Sequence, residues 1–93
     1  MGSSGNKTKG ELKMTIKLVK ILEAAQTHYE KSLYWFEKYE KADKEKDKVM
    51  YWNWSEMEED QSRGLLEAYE IITGKKLHIF EIKQELKPPN VLN

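Results

Sequence analysis

The sequence predicts an all-α fold: an antiparallel helical hairpin of about residues 15–41 and 47–73, with a short third element at 77–86. Three observations point there. Apolar residues recur at helical spacing through both long segments, no proline interrupts either, and the run Lys41-Ala42-Asp43-Lys44-Glu45-Lys46-Asp47-Lys48 between them is polar except for Ala42. A hairpin folds the two halves onto each other. The rival is a single continuous helix that must pair with another chain.

The first helix starts at Thr15, an N-cap residue type, and presents Leu18, Leu22, Ala25, Tyr29, Leu33 and Phe36 as one stripe. Beside it runs a second line of Ile21, His28, Ser32, Trp35 and Tyr39. Together they make an uncharged face roughly 160° wide, more than the roughly 100° that one helix partner needs. In the second helix Met50, Trp54, Met57, Gln61, Gly64, Leu65, Ala68, Ile71 and Ile72 fall along one line, an apolar stripe that needs a partner. Asp43 or Asp47 supplies its cap. A competing reading takes Ser55-Glu56-Met57-Glu58 as a capping box, which leaves residues 49–54 as a strand.

Gly74 reads as the stop of the second helix, with Leu77 folding back onto it. Residues 77–86 suit a helix through Ile79, Ile82 and Leu86, and a strand through alternation around Phe80. Either form brings apolar residues to the wide flank of the first helix. The alternative cover is a second subunit, giving a dimeric four-helix bundle. Residues 1–13 read as a mobile arm, 14–87 as the single domain and 88–93, after Pro88-Pro89, as a tail. Met1-Gly2-Ser3-Ser4-Gly5 also has the look of an appended tag, with Met14 then the candidate start.

Composition narrows the function classes. The 93 residues carry 16 basic and 16 acidic side chains and no cysteine, so disulfides and thiolate metal sites are impossible and no overall field draws in nucleic acid. The charges are segregated. Lys7, Lys9, Lys13, Lys17 and Lys20 dominate the start, whereas Glu56, Glu58, Glu59, Asp60, Glu67 and Glu70 dominate the second helix. Antiparallel folding is expected to lay Lys17 and Lys20 beside Glu67 and Glu70. No run is long and apolar enough for a membrane span, and the start lacks the apolar middle of a signal peptide, which suits the cytoplasm.

Trp52 and Leu66 stand on the far side of the second helix from its apolar stripe, with Tyr51 and Tyr69 at the boundary. Aromatic and leucine side chains rimmed by carboxylates have the makeup of a protein-binding patch. Tyr51, Trp52, Leu66 and Tyr69 are therefore the expected contact residues, with Glu59 and Glu70 as charged rim; the bland reading has them covered by the C-terminal segment. Glu56-x-x-Glu59 and Glu67-x-x-Glu70 resemble the magnesium-binding helices of all-helical nucleotide pyrophosphohydrolases. A matching acid on the first helix is lacking, and a solvated acidic face explains the pattern. His28 and His78 form no ligand pattern, so no metal or cofactor is expected. Non-specific nucleic-acid binding through the lysine-rich arm is a further alternative, weakened by the neutral total.

Trp52-x-Trp54 followed by Gly64-Leu65-Leu66-Glu67-Ala68-Tyr69-Glu70-Ile71-Ile72-Thr73-Gly74-Lys75 resembles short helical proteins encoded by bacteriophages and prophages of low-GC Gram-positive bacteria. The resemblance implies small accessory proteins, some of which bind and block a host protein, and it carries over no functional residues. The expectation is a non-enzymatic protein-interaction module whose partner is another protein or a second copy of itself.

Overall fold

A computed structural model describes residues 9–86, with side chains from residue 15 onward. Two long helices, α1 (Lys9–Lys41) and α2 (Glu45–Thr73), pack antiparallel. A 3-10 turn (Ile79–Glu81) then leads into the short α3 (Ile82–Leu86). The hairpin is as expected, and of the two forms left open for 77–86 the helical one is adopted over residues 79–86; the continuous-helix and strand alternatives are not adopted. Residues 1–8 of the expected arm and the expected tail 88–93 lie outside the described residues.

α1 begins at Lys9, ahead of the expected cap at Thr15, because Glu11, Leu12, Lys13 and Met14 are all competent helix formers. It ends with Lys38 and Lys41 in the last turn, where basic side chains complement the exposed carbonyls. Neither expected aspartate caps α2. Lys44 takes the N-cap position in an extended conformation with no side-chain cap bond, and Lys48 reaches back to donate from Nζ to the Tyr39 carbonyl at 3.2 Å. One lysine thus adds a second bond to a last-turn carbonyl of α1, which the Ala42 N–H also reaches at 3.3 Å, and ties the turn shut. At its other end α2 stops at Gly74, whose left-handed φ of 76° lets its N–H donate to the Glu70 carbonyl at 2.7 Å.

The seam between the helices is the main correction to the sequence reading. The inward line of α2 is Ser55, Ser62, Leu66 and Tyr69, not the stripe from Met50 to Ile72. Ser62 Oγ donates to the Ala25 carbonyl at 2.7 Å and Ser55 Oγ to the Ser32 carbonyl at 2.9 Å. Steps of seven along α2 (48, 55, 62) therefore meet steps of seven along α1 (39, 32, 25). At each step a side chain of α2 bonds a backbone carbonyl of α1. The two serine bonds require a close approach of the helix axes, whose separation follows the size of the residues at the contact. Ser55 is thus helix interior rather than the start of a helix.

Large side chains sit to either side of this seam. On one flank the chain after Gly74 folds back, and Leu77 and Ile82 join Leu22, Ala25, Leu66 and Tyr69 in the buried core. Leu18, Ile21, Leu65, Ile79 and Leu86 pack around it. On the opposite flank His28 Nδ1 donates to the Glu58 carboxylate at 2.6 Å, and Trp35 stacks on Tyr51 and meets Trp54 edge-on. Helical spacing puts Lys17 and Lys20 on this second flank, whereas Glu67 and Glu70 face the first. No ion pair joins them among the described residues, against the expected charge register.

Replacing Ser62 tests the close seam. Ser62→Leu is expected to lower unfolding free energy by about 1–3 kcal/mol through overpacking. Ser62→Ala, which loses one hydrogen bond, costs about 1 kcal/mol or less. Urea denaturation of both variants separates the two outcomes.

Candidate functional site

The C-terminal segment is held over the first flank by a three-residue clamp. Tyr69 Oη donates to Glu85 Oε2 at 3.2 Å, and Lys75 Nζ reaches both Glu85 oxygens at 2.9 and 3.0 Å. The hydrogen bond from Lys75 is the chief reason the Glu85 carboxyl lies below its ordinary range; burial works against it, and the bond from Tyr69 adds to it. The same bond to Glu85 raises the Lys75 ammonium above its usual value. Burial, then the Glu85 charge, pushes the Tyr69 phenol up. His78 starts the 3-10 turn with a capping box, its N–H donating to Glu81 Oε1 at 2.8 Å.

This segment fills only part of the flank. Beyond Ile79, toward the turn, the groove between α1 and α2 continues open, with a volume of about 310 Å³. Ser32 and Ser55, both buried, form its floor. Tyr29, Leu33 and Phe36 wall it on α1, and Trp52, Glu56 and Glu59 on α2. Trp52 leans on Tyr39 and Phe36, with ring centroids 5.2 and 6.3 Å away. Even so, Leu33, Phe36 and Trp52 remain 50%, 37% and 41% exposed. These bulky side chains thus form an apolar patch that is open to solvent. Glu59 is held in place by Arg63, whose Nε donates to Glu59 Oε2 at 3.1 Å. Glu37 and Glu40, four and seven residues after Leu33, extend an acidic border along α1.

The structure divides the expected contact residues. Trp52 and Glu59 come together in the open groove. Leu66 and Tyr69 are buried beneath the C-terminal segment and belong to the core, because the seam turns their side of α2 inward. Glu70 borders a second depression of about 300 Å³ beside Arg63, Glu67, Lys76 and Leu77. Tyr51 lies across the seam from all of these, against Trp35. The groove residues missing from the expected patch are Tyr29, Leu33 and Phe36. They stand in the α1 stripe, and the signal that could have found them is the excess width of that helix's apolar face.

Glu56 and Glu59 open to one depression and Glu67 and Glu70 to another. Among the described residues no three acidic or histidine side chains converge as a metal site. No described helix is long and apolar enough to cross a membrane. Searches with the chain find no matching family model, curated protein or solved structure.

The clamp has a defined pH signature. A depressed Glu85 adds stability above its unfolded-state pKa and loses it as pH falls through the lower folded value. A raised Lys75 and a raised Tyr69 add stability below their unfolded values and lose it as pH rises through the higher folded ones. Docking of residues 77–86 is therefore expected to be strongest between about pH 5 and 9, with protection weakening on both sides. Hydrogen exchange of the 77–86 amides across pH checks this, and Glu85→Gln is expected to flatten the acid limb.

Proposed function

We propose that this chain is a non-enzymatic protein-interaction module of the cytoplasm, a homodimer that takes hold of a basic, apolar helical segment of a partner protein in the open half of its groove. One observation carries the reading. The chain's own residues 77–86 already dock as a short helical segment in the other half, through Leu77, Ile79 and Ile82, and the same groove runs on uncovered past Ile79 to Trp52.

The physical case is that of helix-in-groove recognition. A floor of small hydroxylated residues lets an apolar anchor sit deep, and Leu33, Phe36 and Trp52 supply ring and aliphatic area at little entropic cost. Glu37 and Glu59 are paired with Lys41 and Arg63, so Glu40 and Glu56 are the border carboxylates that favour lysine or arginine beside the anchors. The resemblance of residues 52–75 to small phage and prophage accessory proteins agrees with a role exerted by binding. Nucleotide hydrolysis draws no support from carboxylates divided between two depressions.

A labelled amphipathic peptide of leucine and lysine is the direct probe. Fluorescence anisotropy is expected to show micromolar binding that weakens at least about tenfold, roughly 1.4 kcal/mol, in Trp52→Ala and Phe36→Asp. Tyr51→Ala, on the opposite flank, is expected to bind as the parent does. Equal affinity for Trp52→Ala and the parent would exclude the groove as the site.

A further inference from the structure

The stripe Met50, Trp54, Met57, Gln61, Gly64, Ala68 and Ile71 alternates steps of four and three along its whole length, the spacing of a helix-pairing seam. It lies roughly 140° round α2 from the inward serines; Trp54 meets Trp35 of α1 edge-on at its border, whereas Met50, Met57, Gln61, Gly64 and Ile71 are exposed. Trp54, Met57 and Ile71 are 37%, 49% and 78% exposed. We propose that this seam pairs with the same seam of a second copy, antiparallel about a two-fold axis at Gln61; this names the surface behind the homodimer in the reading above.

The choice of a second copy rests on self-complementarity. With Gln61 on the axis, Trp54 of one copy faces Ala68 of the other, Met57 faces Gly64 and Leu65, and Met50 faces Ile71 and Ile72. Trp54 thus meets Ala68, and Met57 meets the notch at Gly64. Parallel pairing in register would set Trp54 on Trp54 and leave a void at Gly64, so size selects the antiparallel arrangement.

Gly64 has open space around it: a Cβ added there would meet nothing within 4 Å. In the dimer that notch receives Met57. Gln61, both donor and acceptor, pairs reciprocally with its own copy and fixes the register, as a lone polar residue does in a coiled-coil seam. The seam itself carries no charge, and helical spacing keeps Glu56, Glu59 and Glu70 on other sides of α2, while Asp60 and Glu67 flank the seam at its solvent-facing edge. From Met50 to Ile72 the contact runs about 33 Å at one helix width, which places it with the smaller specific interfaces of about 1,200 Å² in total.

Because the chain has no cysteine, single-cysteine variants report the arrangement directly. Under mild oxidation Gln61→Cys is expected to cross-link into a covalent dimer. Met57→Cys is not, since its two copies would lie about 12 Å apart along the axis, beyond disulfide reach. Sedimentation at about 100 µM is expected to show a dimer for the parent and a monomer for Gly64→Glu, whose helix content is unchanged or higher because glycine is the poorer helix former. A monomeric parent overturns the inference, as does a dimeric Gly64→Glu or cross-linking of Met57→Cys. Trp52→Ala is expected to remain a dimer while losing the leucine-lysine peptide, so failure of the groove and failure of the seam give different results.

Discussion

Two serine hydroxyls bonded to backbone carbonyls of the opposite helix set the geometry on which the rest of this molecule depends. Such a bond forms only where the helices come close, and close approach leaves no room for large side chains between them. The bulky residues are displaced to the two flanks, where the rings cluster: Phe36, Tyr39 and Trp52 on one side, Trp35, Tyr51 and Trp54 on the other. The buried hydroxyls are satisfied by those carbonyls. Among the described residues no buried side-chain nitrogen or oxygen lacks a hydrogen-bond partner.

A narrow seam makes a small core, and the third element enlarges it. Leu77 and Ile82 contribute apolar surface that the hairpin alone lacks, and they cover Leu66 and Tyr69, which would otherwise face water. The clamp of Tyr69, Glu85 and Lys75 adds direction to this burial by fixing where the short α3 lies. A helix of five residues has little stability of its own, so its conformation follows from that docking. The covered half of the flank carries a docked segment over Leu66 and Tyr69, whereas the open half has Ser32 and Ser55 as its floor and Leu33, Phe36 and Trp52 in its walls.

Among the described residues three apolar surfaces are left uncovered, and they differ in chemistry. The groove past Ile79 is concave and acid-bordered, which suits an inserted helix. The ring cluster on the opposite flank adjoins the His28–Glu58 pair and is flanked by lysines of α1. The outward seam of α2 is uncharged and sets large residues before Gln61, Trp54 and Met57, against small ones after it, Gly64 and Ala68.

Helix content, the break near residues 42–44, the stop at Gly74 and the surplus of apolar surface were determined by the sequence itself, through periodicity, polarity and a glycine that tolerates positive φ. The tertiary structure alone decided which line of α2 turns inward. Periodicity weighs residues by hydrophobicity and favours Met50, Trp54 and Met57, whereas close helix packing selects for smallness and a hydroxyl within reach of a carbonyl, and so turns in Ser55 and Ser62. That one rotation moved Leu66 and Tyr69 from an expected surface into the core and left Trp52 at the rim of a groove. Propensity is a property of each residue, but the inward face is a property of the pair of helices that share it.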